Sequence, residues 1–160
     1  MNFIKTYMIC SILLISHANI ESSNKTQKGS KMITTGDKLN VSKHTKLSNG
    51  ISFEIIKEGS GSKPLRGETV TVDYTGWLLK GTDTVGTKFD SSVDRGQKFK
   101  FPLGLRHVIT GWDIMVADMK IGEKRIVILP PEYAYGSHGA GPVIPGNATL
   151  IFEIELFSAN

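Results

Sequence analysis

The chain has 160 residues, 39% apolar, 21% charged and 8% aromatic, a composition of ordinary globular proteins that excludes disordered, collagenous and long coiled-coil chains. That length leaves no room for two full domains, yet it can bury a core without disulfides or metal clips. The formal charge of +4 is local, because residues 19–46 hold six lysines against Glu21 and Asp37, while from Leu47 onward 12 Lys and Arg meet 13 Asp and Glu. The charge therefore marks a basic segment and gives no reason to expect a nucleic-acid partner.

The opening stretch MNFIKTYMICSILLISHANIES carries one lysine, an apolar run from Tyr7 to Ile15, and the small pair Ser16 and Ala18. This pattern predicts a signal peptide over residues 1–18, cut after Ala18. The run is shorter than the roughly 20 residues a bilayer core requires, and no second run follows. The expectation is an exported protein, periplasmic or secreted, without stable membrane insertion. Cys10 is the single cysteine and falls inside the leader, so the mature chain has no disulfide or thiol chemistry.

Residues 19–46 are rich in Lys, Ser, Thr, Asn and Gly and contain no aromatic residue, which predicts a flexible basic segment ahead of a domain spanning 47–160. The alternation of Leu39 and Val41 with polar neighbours allows a different outcome, a strand near Lys38–Lys46 that joins the domain edge. Ile51, Phe53 and Ile55 then alternate with Ser52 and Glu54 before a Gly-Ser-Gly break, the period of a half-buried strand. Val70, Val72 and Tyr74 repeat it. Phe99 and Phe101 continue the pattern opposite Lys98 and Lys100, with Pro102 closing the strand. Glu123–Leu129 starts charged and becomes β-branched, as a deeply covered strand would. Leu150, Phe152, Ile154 and Leu156 place one apolar face on a last strand over 148–157.

One window has helical spacing: Thr110–Met119 sets Trp112, Val116 and Met119 at i, i+4 and i+7. Five or six antiparallel strands with one short helix predict an α+β domain, a helix packed on a curved antiparallel sheet. The four histidines lack metal-ligand spacing. No GxxxxGK[ST], GxGxxG or GxSxG motif is present. Neither a cofactor nor a metal is expected. The aromatic residues Tyr74, Phe89, Phe99, Trp112, Tyr135 and Phe152 lie at strand ends and loop junctions as well as within strands. They exceed what one small core needs.

In order along the chain stand VTVDYTGWL (70–78), TKFDSS (87–92), FKFPLG (99–104), VITGWD (108–113), MKIGEKRIVILPPEYAYG (119–136) and IPGNATLIFEIELF (144–157). Over about residues 47–158 this series resembles the FKBP-type peptidyl-prolyl cis-trans isomerases. The resemblance implies a curved sheet wrapped around one short helix, with an aromatic pocket between them. By the matching motifs, Tyr74 and Phe99 would form facing walls, Trp112 the floor, and Phe152 the deep end. Phe89 would touch the substrate's proline, and Asp90 would organise the pocket edge. Val108 and Ile109 would line the entrance, the Ile109 amide holding a carbonyl. Tyr135 would offer its hydroxyl to another carbonyl, and Val143 with Ile144 would form an outer apolar rim. Two departures from the pattern are a longer link over residues 80–86 and Ala140 at a loop position often held by His.

Several of these residues also have plain structural roles. Trp112 and Phe152 could be core, Tyr74 and Tyr135 could bond backbone, and Asp90 before Ser-Ser is a good local acceptor for the following turn. The function implied by the resemblance is rotation of X-Pro bonds in proline-containing unfolded or flexible polypeptides, performed by a monomer, with macrocyclic immunosuppressants as pocket ligands. The alternative is a non-enzymatic chaperone or peptide-binding module using the same cleft.

Overall fold

The computed structural model describes residues 32–160. The expected leader, its cut after Ala18 and the first part of the basic segment lie outside the described residues.

Seven strands, β1 (Thr45–Lys46), β2 (Ser52–Lys57), β3 (Thr69–Lys80), β4 (Thr84–Ser91), β5 (Phe99–Pro102), β6 (Lys124–Leu129) and β7 (Leu150–Ala159), form one antiparallel sheet. Their order is β1-β2-β6-β7-β3-β4, with β5 beside the first half of β3. Helix α1 (Ser92–Arg95) is one turn, and α2 (Thr110–Asp118) is the helix that the spacing of Trp112, Val116 and Met119 predicts. The architecture is the expected curved sheet with a short helix. The strand count reaches seven because β1 has only two residues and β4 reads TVGTKFDS, where Gly86 interrupts any apolar alternation. Residues 80–86, the longer link, are the tip of the β3–β4 hairpin.

The sheet is apolar on both faces. Val70, Val72, Val127, Leu129, Ile154 and Leu156 point to the inner face, where α2 lays Trp112, Met115 and Val116 across them. Each such side chain contributes about 1.5–3 kcal/mol by leaving water. Gly111 lets the helix approach, since a Cβ there would lie 2.6 Å from Leu129 Cδ2 and 2.9 Å from the Tyr133 carbonyl oxygen. The end of α2 is tied down by Arg125 of β6, whose Nη1 donates to Asp118 Oδ2 at 2.9 Å and whose Nη2 donates to the Asp118 carbonyl at 3.2 Å. Arg125 and its other partner Glu123 are 3% and 2% exposed, so the helix end rests on a buried ion pair.

On the outer face Trp77, Val85, Ile126, Ile128 and Ile151 form a second cluster. It is covered by residues 33–39, and this corrects the expected free segment. Leu39 is 8% exposed in that cluster and Ile33 packs against it. Gly36 and Leu39 donate to the carbonyls of Val85 and Asp83 at 2.7 Å, while the Val85 amide donates to the Asp37 carbonyl at 2.9 Å. Lys38 bridges Thr84, and after one 3-10 turn Thr45 and Lys46 pair with Phe53 and Ser52. The packed unit therefore begins near Ile33, not at Leu47, close to the alternative of an added edge strand. Two apolar residues suffice because the sheet supplies the rest of the cluster.

Candidate active site

The site is built on four strands, β3, β4, β5 and β7, together with α2 and the loop before it. A cavity of about 190 Å³ opens between α2 and the inner face. Trp112, 4% exposed, is its floor. Tyr74 of β3 stands edge-on to the indole at 4.9 Å and 84°, and Phe152 of β7 does so at 5.3 Å and 86°. Phe99 of β5 faces Tyr74 at 5.8 Å, and Phe89 of β4 meets Phe152 at 5.6 Å. These edge-to-face contacts lock each ring through its neighbours, so the walls are set before any ligand arrives. The space for Phe89 exists because residue 76 is glycine. A Cβ there would lie 2.6 Å from Phe89 Cζ and 2.9 Å from Phe152 Cε1.

The DSS stretch is ordered by its serines. Ser91 caps α1 by accepting from the Asp94 amide at 3.2 Å. Ser92, fully buried, accepts from the Tyr74 amide and donates to Asp73 Oδ1, both at 2.9 Å. Ser91 thus takes the capping role open to Asp90, and the Asp90 carboxylate turns to the cavity. There Tyr74 Oη donates to Asp90 Oδ2, and Arg95 Nη1 donates to Asp90 Oδ1. Arg95 Nη2 donates to Tyr74 Oη at 3.0 Å, and the Ser91 amide donates to Asp90 Oδ1 at 2.8 Å.

These contacts fix the charge states. Burial pushes the Asp90 carboxyl upward, but hydrogen bonds from Tyr74 and Arg95 and the guanidinium charge outweigh it and hold Asp90 below the usual aspartate range. Tyr74 is raised by burial and by bonding to Asp90. Tyr135, 40% exposed at the rim, is raised by burial and by the Asp90 charge. At neutral pH the site therefore holds an ionised, saturated carboxylate and two protonated tyrosines, which suits orientation and not proton transfer.

The entrance carries donors. Val108 and Ile109 line the cavity, as the motif implied. Asp113, in the first turn of α2, accepts from the amides of Gly104 at 2.8 Å and Arg106 at 3.1 Å, pinning the loop that presents them, with Arg106 in the left-handed region at φ 61°. Among the described residues the Ile109 amide and the Tyr135 hydroxyl have no hydrogen-bond partner, so both are free to hold carbonyls.

The expected outer rim is different. Val143 is 53% exposed and Ile144 is 6% exposed inside the inner core, and neither lines the cavity. Paired backbone bonds between Ala140 and Ile144 turn the Ile144 side chain inward. Two residues went unread in the sequence. His107 lines the cavity mouth, and Arg95 closes the Tyr74–Asp90 pair from the end of α1. The one available signal for Arg95 was its place after an Asp-Ser-Ser turn.

The model of the FKBP-type peptidyl-prolyl cis-trans isomerases matches residues 60–157. The chain is 53% identical over 113 residues to the human peptidyl-prolyl cis-trans isomerase FKBP4, covering 70% of this chain and 24% of that protein. It thus spans about a quarter of that relative's length. An FK506-binding protein from Neisseria meningitidis is 50% identical over 107 residues, covering 67% of this chain and 94% of the relative. FK506-binding protein 1 of Dictyostelium discoideum is 51% identical over 109 residues, with 68% and 97% covered. The crystal structure of FkpA from Escherichia coli superposes with a TM-score of 0.65 at 36% identity, covering 74% of this chain and 52% of that one.

Proposed function

The chain belongs to the FKBP-type peptidyl-prolyl cis-trans isomerases, and from that premise we propose that it accelerates rotation of X-Pro bonds in flexible or unfolded polypeptides outside the cytosol. The observation that carries the reading is the chemistry of the cavity. Aromatic rings enclose a space suited to a single side chain, and the one carboxylate in its lining is already bound by Tyr74 and Arg95.

Rotation of a peptide bond breaks amide resonance across a barrier of about 18–20 kcal/mol, which makes uncatalysed X-Pro exchange slow, tens to hundreds of seconds. In the twisted state the C–N bond is nearly single and less charge separates oxygen from nitrogen. A dry aromatic site disfavours the more polar planar amide relative to the twisted one, provided contacts elsewhere on the peptide supply the binding free energy. With the proline ring on Trp112, the Ile109 amide and Tyr135 hydroxyl hold flanking carbonyls and leave the prolyl bond as the rotating one. Each 1.4 kcal/mol or so taken off the barrier is tenfold in rate. No oxyanion forms, so these donors act by orientation.

Export is supported by the leader: Lys5, the apolar run from Tyr7 to Ile15, and the small residues Ser16 and Ala18. The clients would be exported proteins whose folding waits on proline, the working form a monomer, and FK506-type macrocycles competitors for the cavity. Isomer-resolved exchange of short X-Pro peptides tests the catalytic reading. Acceleration that FK506 abolishes is the expected result, and unchanged exchange at stoichiometric protein overturns it. N-terminal sequencing of the mature protein should begin at Asn19, and a mature chain still starting at Met1 would overturn export.

A further inference from the structure

Beyond the cavity, past Phe99, lies a groove of about 630 Å³ lined by residues 95–100, and Phe99 belongs to both. A polypeptide whose proline sits on Trp112 has to leave the cavity, and this groove adjoins it at Phe99. Three observations say what it accepts. Strand β5 pairs with β3 along one edge only, and among the described residues no strand occupies the other. An unpaired edge offers its N–H and C=O groups to an extended chain. The lining holds Arg95, Lys98 and Lys100 and no acid. Arg95 is bound to Asp90, and Lys98 to Asp73 with its Nζ 3.5 Å from the Phe157 ring centroid, but Lys100 is exposed with no ion-pair partner among the described residues.

We infer that the free edge of β5 is a subsite for the client segment flanking the target proline, which adds as an extended strand and is preferred when it carries Asp or Glu. This deepens the proposed function and rests on it for the position of the proline. The backbone of β5 supplies sequence-tolerant pairing, and Lys100 supplies the bias toward acidic residues. An exposed pair of this kind is worth about 0.2–1 kcal/mol, a preference of roughly 1.5- to fivefold per charge. The preference weakens as ionic strength rises.

The test uses the mature protein with a neutral four-residue X-Pro peptide and longer versions bearing three glutamates or three lysines on either side. Isomer-resolved exchange gives kcat/KM, and backbone amide exchange reports protection along residues 97–101. The expected result is a several-fold higher kcat/KM for a glutamate-flanked peptide over its lysine counterpart, with new amide protection on β5. In Lys100→Glu that ratio inverts or falls to one, and in Lys100→Arg it persists. Equal rates for the two charged peptides, or acidic preference without protection on β5, overturn the inference. If the short neutral peptide is not turned over but the acidic peptide still protects β5, the isomerase reading falls and the peptide subsite stands.

Discussion

Arg95 sits over the face of Tyr74, its guanidinium carbon 5.7 Å from the ring centroid, and donates to the tyrosine hydroxyl while also gripping Asp90. A ring that forms a cavity wall is thereby held by a charge outside the cavity. Asp90→Ala leaves the Tyr74 hydroxyl and the Arg95 guanidinium competing for water at the edge. The fold survives, because Ser91 and Ser92, not Asp90, anchor the turn. The expected outcome is about a tenfold or larger loss of kcat/KM with an unchanged far-ultraviolet spectrum. Arg95→Ala should lose less, since Tyr74 still donates to Asp90. A full-strength Asp90→Ala enzyme would remove the carboxylate from the site's function.

The same charges set the pH response. Asp90 has a folded pKa below its unfolded value, so its stabilising contribution is present above the ordinary aspartate pKa of about 4 and is lost as pH falls through the lower folded value. Tyr74 and Tyr135 are both raised and stay protonated. In a His107→Gln background, which removes the one imidazole of the lining, kcat/KM should be flat from about pH 5 to 9 and fall only in acid. A bell centred near neutrality would mean that a proton is transferred.

Gly76→Ala places a methyl group where Phe89 and Phe152 meet. Overpacking of this kind costs about 1–3 kcal/mol. Phe89 is also pushed toward the cavity, so peptide affinity should fall along with the melting temperature. Calorimetry and peptide titration on one sample check both. A variant with wild-type affinity would show that Phe89 can move without touching the bound proline.

Removing Arg125 alone leaves Glu123 charged, buried and without its guanidinium partner. The expected cost of Arg125→Met is about 3–5 kcal/mol, seen in denaturant unfolding. The double variant Glu123→Gln with Arg125→Met should recover most of it. Failure to recover would assign the loss to the end of α2, where Arg125 binds the Asp118 carbonyl.

Leu39→Ala should lower stability by about 2–3 kcal/mol, a core-like value for a residue in a polar, lysine-rich stretch. A free segment would give no change, so a melting curve decides between the packed and the flexible reading of residues 33–46.

Much of this was legible in the chain. The period-two apolar residues of β2, β3, β5 and β7, the continuous apolar run of β6, buried on both faces, and the helical spacing of α2 stand out because each element packs against a large core. The cavity residues were legible through ordered motifs: Tyr74, Phe89, Asp90, Phe99, Trp112, Tyr135 and Phe152 do converge. What escaped depends on partners distant in sequence. Leu39 and Ile33 are scattered apolar residues until the outer face of the sheet gives them a cluster. Arg95 acts through one turn of helix too short for any periodicity. Val143 and Ile144 look equivalent in sequence, but the bridge from Ala140 to Ile144 sends one inward and leaves the other in solvent.

The belt of residues 33–46 also matters for company. It engages β4 at one margin of the sheet through Lys38 and Thr84, and at the other it leaves just Thr45 and Lys46 beyond β2. Each long margin is thereby partly occupied, which shortens the free edge open to fibrillar stacking. Beside the aromatic hollow, by contrast, β5 keeps one edge open among the described residues.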